Sequence, residues 1–271
     1  MRRLRAFLLI RREPQYRREA FEAGLQAAGY EVHGEPRGSW TEQDVLVIWN
    51  RYGRFHELAT RFERAGARVL VAENGPLGRD WRGEHWYSLV EGAPAGAGRW
   101  PDLGPERWED LKVSLCDWRK GGNEIIILAQ RGIGPPGVAQ PHGWHLRTAD
   151  TLRKIQPWPV RIREHPGEKP ATPLEDDLAN ARYVVTWASA AGLKALLAGV
   201  PVVYGFAKWI GAAAASPWTG SAPSPLEPDR LPMFHRLAWS MYRTHEIATG
   251  LPFHRLLTLQ SFGLPTTTAR T

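Results

Sequence analysis

Two apolar runs in the second half of this chain end in groups suited to holding phosphate. Val160-Arg161-Ile162 is followed by Arg163, Glu164, His165 and Pro166, and the run from Tyr183 to Trp187 is followed by Ala188 and Ser189. An arginine supplies a forked, permanently charged donor and a histidine a second donor, a combination that suits phosphoryl oxygens. Arg163 and His165 stand two residues apart, so extended backbone turns them to one side. Ser189 opens a run of small residues, Ala190 to Ala198, closed by Gly199 and Pro201. It is placed to cap a helix N-terminus, where its hydroxyl and the first backbone amides can take a phosphate. A strand, tight turn, helix and second strand, Val202 to Tyr204, form a βαβ unit, whose ligands sit at the carboxyl ends of the strands. The stretch from Pro159 to Tyr204 thus reads as a nucleotide mono- or diphosphate site. The plain alternatives are a surface-turn histidine and an ordinary N-cap serine.

The elements that must position these groups alternate along the whole chain. Strands are expected at Leu4–Ile10, Glu31–His33, Asp44–Trp49 and Arg68–Ala72, with helices at Tyr16–Ala28 and Phe55–Ala65 closed by Gly29 and Gly66. Trp86–Val90 reads as a further strand and Pro105–Trp118 as a helix. The pattern restarts with Glu124–Ala129, a helix over Trp144–Ile155 and a short helix at Leu174–Ala181; late helices are expected at Met233–Thr249 and Phe253–Leu259. Near-continuous apolar strands alternating with helices indicate parallel sheets covered on both faces. The expected fold is α/β, with two Rossmann-like parallel-sheet domains facing a cleft and C-terminal helices. Residues 1–120 would form the first of these domains, 121–228 the second, 229–262 helices packing back across both, and 263–271 a disordered tail.

Composition narrows the partners. The chain has 271 residues, a formal charge of +7 and thirteen tryptophans, with a pI near 9.8. That balance favours a polyanionic partner, and indoles stack on bases or sugars; arginine usage and core packing are the plain counter-readings. The single cysteine, Cys116, rules out an intrachain disulfide framework and reads as a packing residue. The apolar run Ala6–Ile10 is too short for a signal sequence, and no stretch reaches membrane-spanning length, so a cytoplasmic protein without a membrane anchor is expected.

Other motifs are weaker. Gly132, Gly134 and Gly137 spell G-x-G-x-x-G after a strand, but Pro135 and Pro136 remove backbone donors and no helix opens there, which argues against a dinucleotide loop. No P-loop, H-E-x-x-H or Cys/His ligand spacing occurs, and no metal is expected. In the first half, the candidates for a general base are carboxylates or a histidine near a strand end: Glu73 in ENG first, then Glu13, Asp80 and His85. Arg2, Arg3, Arg5, Arg11, Arg12, Arg17 and Arg18 cluster around Glu13. With Asn50, Arg51, Tyr52 and Arg54 they suit an acceptor bearing phosphates, or form a solvated basic face.

R-E-H-P at 163–166, followed by T-W-A-S-A-A-G-L-K-A-L-L-A-G-V-P-V-V at 186–203, resembles the donor half of GT-B glycosyltransferases. It is most similar to the capsule-polysaccharide type, the Kdo and sialic-acid transferases, with an HP motif and an S-x-x-x-x-E-A-L-x-x-G-x-P-V motif. The resemblance spans roughly 124–205 and implies that residues 1–120 are the acceptor domain, supplying the base for an acceptor hydroxyl, and 121–228 the nucleotide-sugar domain. It implies that His165 and Ser189 contact the donor's phosphate, and it sets Gln130 and Arg131 where the family has a glutamine-bearing loop. Lys194 stands where the family has glutamate, which suits an extra phosphate contact or a solvated helix residue. The implied co-substrate is a UDP-, GDP- or CMP-linked sugar, with no metal. Charge, together with the compact GT-B enzymes that glycosylate bacteriophage DNA, points to a hydroxymethylated pyrimidine in DNA as acceptor. Transfer to a capsule or lipopolysaccharide glycan, and a non-catalytic nucleotide- or DNA-binding protein, are the alternatives.

Overall fold

The computed structural model describes residues 4–101, 103–165, 167 and 172–258. The first sheet contains β1 (Arg5–Leu9), β2 (Glu31–His33), β3 (Val45–Trp49), β4 (Arg68–Asn74), β5 (Asp80–Trp81) and β6 (Glu84–Glu91), joined by α1 (Arg18–Ala27) and α2 (Arg54–Arg64). A short helix, α3 (Glu106–Leu111), follows. The second sheet contains β7 (Glu124–Leu128), β8 (Val160–Arg163), β9 (Ala181–Thr186), β10 (Val202–Tyr204) and β11 (Ser216–Pro217), with α4 (Trp144–Ile155), α5 (Leu174–Ala179) and α6 (Ala190–Leu197) between them. The chain then adds α7 (Leu231–Ala238), β12 (Met241–Arg243), α8 (Thr244–Ala248) and α9 (Leu251–Thr258).

Both sheets are wound alike. Their orders are β12-β6-β4-β3-β1-β2, with β5 beside β6, and β11-β10-β9-β7-β8. All pairs of the second sheet, and those among β1 to β4, are parallel. In each sheet the strand order reverses beside its first strand, which opens a crevice at the carboxyl ends. The strands are apolar runs because both faces are covered: Val45 to Ile48 and Ile125 to Ile127 are all buried. One apolar cluster runs through both sheets, from Val69, Val71 and Trp86 to Ile126, Val184 and Leu193. The Ile210 N–H donates to the Ala95 carbonyl at 2.9 Å across the same junction.

Four elements depart from the sequence expectation. The helix expected over Pro105–Trp118 ends at Leu111, because Lys112 turns left-handed with φ 50°. Beyond it Cys116 and Arg119 donate their N–H groups to the carbonyls of Leu197 and Gly199, so the connection is held along the end of α6. Met233–Thr249 is not one helix. It breaks around β12, which pairs antiparallel with β6, Met241 opposite Ser88. The strand expected at Trp86–Val90 is present but runs antiparallel to β4. β11 had no sequence signal, being two residues long. The expected tail at 263–271 lies outside the described residues. Among those described, no helix is long and apolar enough to cross a membrane.

The returning segment meets α1 at Gly24, where a Cβ would lie 1.9 Å from the Ile247 carbonyl oxygen and 2.8 Å from the Phe253 ring. Gly24→Ala should therefore overpack the α1–α8 contact and cost about 1–3 kcal/mol, read as a lower denaturant midpoint. An unchanged midpoint would mean that α8 does not press on α1.

Candidate functional site

The crevice of the second sheet lies between the ends of β7 and β9, and its backbone groups are already held. The Gln130 Oε1 accepts the Ala188 N–H at 2.8 Å, joining the two strand ends. The Gln130 N–H donates to the Gln140 Oε1 at 3.3 Å, and Gln140 contacts the His145 Nδ1 at 2.9 Å. The Trp187 Nε1–H donates to the Val138 carbonyl at 2.8 Å, tying the glycine-bearing loop to the end of β9. No helix opens at that loop; α4 begins only at Trp144. Ser189 caps α6, its Oγ accepting the Ala191 N–H at 3.1 Å, while its own N–H donates to the Thr186 Oγ1 at 3.0 Å.

His165 projects beside this crevice. Its Nδ1 accepts the Gly167 N–H at 2.9 Å, which leaves Nε2 to meet a ligand. The ring reaches solvent, yet the chain packed around it, and then the charge of Arg131, hold it below the ordinary imidazole value. The expected pairing of Arg163 with His165 is not formed. Arg161 and Arg163 lie on one strand side and both reach Asp177 on α5; Arg163 also donates to the Thr172 carbonyl at 2.8 Å. Arg163 is thereby committed to holding β8 against α5. Pro166 lies outside the described residues.

Lys194 is elsewhere too. Five residues past Ser189 amounts to roughly 140° around the helix, and Lys194 lines a separate cavity of about 550 Å³. Leu77, Gly78, Asp80 and Trp81 after β4, Glu175 on α5, and Cys116 and Arg119 of the connection line it as well.

In the first sheet the crevice between β1 and β3 holds a cavity of about 450 Å³. Arg11, Arg12, Tyr52 and Arg54, four of the six residues expected to bind an acceptor, line it together with Arg18. Asn50 adopts φ 58° and donates its N–H to the Ala72 carbonyl at 3.0 Å. Arg51 corrects the sequence reading. Its side chain turns inward, only 7% exposed, and grips Glu63 through two hydrogen bonds of 2.6 and 2.7 Å and the Gly92 carbonyl through a third. It fixes α2 against the loop after β6. Arg5 likewise pairs with Asp44 at 2.7 Å.

The three carboxylates considered as a base differ in environment. Glu13 is exposed ahead of a 3-10 turn. Asp80 is held below the usual carboxylate range by its hydrogen bond to Arg79, at 2.8 Å, and also by His85, at 3.0 Å. Glu73, near the end of β4, is half-buried with no charge or donor to compensate, and burial pushes it up to about 7. Strand alternation sets it on the side of Val69 and Val71, the side that the second sheet covers.

Gln130 has the most specific structural role here. Gln130→Ala should leave the buried Ala188 N–H unpaired and cost about 1–3 kcal/mol, whereas Gln130→Glu keeps an acceptor and should lose less. Equal losses in the two variants would show that this hydrogen bond does not join the strand ends.

No protein-family profile matches this sequence, and no curated protein sequence resembles it significantly. Solved structures do resemble it in fold. The β-Kdo 2,7 transferase of KpsC from Thermosulfurimonas dismutans matches with a TM-score of 0.54 at 13% identity, covering 93% of this chain and 99% of that one. The β-Kdo 2,4 transferase of KpsC from the same organism matches with a TM-score of 0.51 at 12% identity, covering 89% and 92%. At these identities the likeness is one of architecture: two α/β units with parallel sheets, a GT-B-like fold.

Proposed function

We propose that this chain is a glycosyltransferase that takes a nucleotide-linked sugar at the carboxyl ends of β7 and β9 and transfers the sugar to an acceptor hydroxyl. The observation that carries the reading is the fold shared over 93% of the chain with a sugar transferase. The strand-end groups support it. Gln130 pins the donor crevice, the Ser189 hydroxyl and the His165 Nε2 face the nucleotide's phosphate, and Arg131 adds positive charge beside it. Glu73 serves as general base. As the acceptor oxygen attacks the anomeric carbon, Glu73 takes its proton and the sugar–phosphate bond breaks, its electron pair leaving with the nucleotide. The positive charge near His165 offsets the negative charge that builds on that leaving group.

A saccharide acceptor of the capsule or lipopolysaccharide kind fits better than DNA. The arginines suggested a track for nucleic-acid phosphates, and the net charge of +7 remains on groups outside ion pairs, but individual members of that track are spent on internal contacts. Arg5 pairs with Asp44, Arg51 with Glu63, Arg68 with Glu91, Arg107 with Glu246, and Arg161 and Arg163 with Asp177. The hydroxymethylated-pyrimidine acceptor is left resting on composition. The donor is a UDP-, GDP- or CMP-linked sugar.

Glu73→Gln should abolish transfer while leaving donor binding intact. In the native chain, transfer should rise with pH through about 7 as Glu73 deprotonates. The linked stability runs the other way. Because the folded value lies above the ordinary 4.5, the contribution of Glu73 is complete below pH 4.5 and is lost as pH rises through about 7. Glu73→Gln should remove that decline; a variant that retains activity would exclude Glu73 as the base. His165→Ala should weaken donor binding, measured by calorimetry with UDP-, GDP- and CMP-sugars, without lowering the melting temperature. Undiminished affinity would dismiss the phosphate role of His165. Incubation of the native chain with these donors and saccharide or hydroxymethylated-DNA acceptors, followed by mass spectrometry, tests the reaction itself; tight ligand binding without any turnover would favour a binding protein.

A further inference from the structure

The cavity between β1 and β3 is more specialised than a generic acceptor surface. Four guanidinium groups, those of Arg11, Arg12, Arg18 and Arg54, line it, with Glu35 as the one acid in its wall. Two helices of ten and eleven residues, α1 and α2, begin at its edge with Arg18 and Arg54, and neither has a side-chain cap. Their N-terminal dipole ends carry partial positive charge toward the same place, while the first-turn N–H groups of Phe55, His56 and Glu57 in α2 already donate to the Tyr52 and Gly53 carbonyls. α2 follows Gly53, whose φ of 52° and missing side chain leave the approach to its first turn open.

Arg18 fixes a permanent charge in the wall of this cavity. It is only 7% exposed. Its Nη1 donates to the carbonyls of Leu8 and Ile10 at 2.8 and 2.6 Å, which fixes the guanidinium at the carboxyl end of β1. Its Nε, also buried, has no hydrogen-bond partner and pairs only distantly with Glu22, 3.9 Å away along α1. Burial, and after it the neighbouring charge of Arg12, work against the protonated form of Arg18. A bound anion would relieve both the desolvation of Arg18 and its repulsion from Arg12.

We propose that this cavity is a binding site for a terminal phosphate or pyrophosphate group on a small molecule, held by the guanidinium groups of Arg11, Arg12, Arg18 and Arg54 and favoured by the positive dipole ends of α1 and α2. A site confined to one crevice recognises a single phosphorylated end rather than a polymer's repeating backbone. This rests on the transferase reading for its place in the reaction, where the phosphorylated molecule is the acceptor or its carrier, but the binding step stands without it. Tyr52, partly exposed at the rim, offers a ring for the sugar or other group that the phosphate carries.

The test is calorimetric titration of the full chain with inorganic phosphate, pyrophosphate, a sugar phosphate and the matching neutral sugar. The phosphorylated compounds should bind and the neutral sugar should not. The double variant Arg12→Gln/Arg54→Gln, which leaves the buried Arg18 in place, should fold normally and bind the sugar phosphate at least about tenfold more weakly, the scale of one lost charge-assisted hydrogen bond. Arg64→Gln, at the far end of α2, should leave binding unchanged. Undiminished affinity in the double variant, or equal binding of neutral and phosphorylated sugars, would overturn the proposal. Phosphate binding without any glycosyl transfer would instead count against the transferase reading alone, and transfer with no binding at this cavity would count against the site alone.

Discussion

A parallel sheet leaves the last backbone groups of each strand without a partner on the carboxyl side, and where the strand order reverses no helix covers the gap. The fold must answer that constraint twice, and its two sheets answer it differently. The second sheet brings in side chains of its own: Gln130 takes the Ala188 N–H, Ser189 takes the first turn of α6, and Trp187 anchors the loop after β7. The first sheet closes the end of β1 with Arg18, which takes the Leu8 and Ile10 carbonyls, and surrounds the rest of its crevice with guanidinium groups. One crevice is therefore shaped in advance, with few groups needing to move, and the other is charged and incomplete. Such a division suits a molecule that handles two different ligands, since preorganisation favours orientation and uncompensated charge favours capture.

Arginine is the common material of the joints. Arg230 donates to the carbonyls of Leu196 and Cys116 at 2.5 and 2.6 Å and lies 4.0 Å from the centre of the Trp118 ring, so one side chain locks the connection between the sheets to the end of α6. Arg107 spans from α3 to Glu246 and the Met241 carbonyl. Arg68 holds Glu91 and the carbonyls at Leu256 and Leu257. A planar fork with five donors reaches carbonyls and carboxylates at once, which a lysine cannot do. These contacts spend individual arginines on the fold, while the net charge of +7, which neutral ion pairs do not reduce, stays on other groups.

The strands were legible because burial on both faces leaves little but Val, Ile and Leu in them, and the βαβ unit from Val160 to Tyr204 stood where its pattern indicated. Elements fixed by distant partners were not legible. β12 is a strand because β6 lies beside it, and nothing in Met241-Tyr242-Arg243 distinguishes it from the helical pattern on either side. The site divides the same way. The Ser189 cap follows from its position at a helix start, whereas Gln130 was marked out only by the family resemblance, and its bond to the Ala188 N–H had no sequence signal. Arg51 and Arg163 had the right type and position, but their roles were decided by Glu63 and Asp177, which only folding brings near. Glu73 carried a signal in its strand-end position, while its raised proton affinity depends on burial that the sequence does not display.

The pairing of β12 with β6 also sets an order of events. Until residues 241–243 have been made, β6 is the outer strand of the first sheet on that side and presents unpaired backbone groups to its surroundings. The first sheet therefore remains unfinished while the entire second sheet is being synthesised. The two units, though separate in architecture, form one object in assembly: the earlier waits on the later, and a chain cut between them would strand an exposed edge where the intact protein has none at that position.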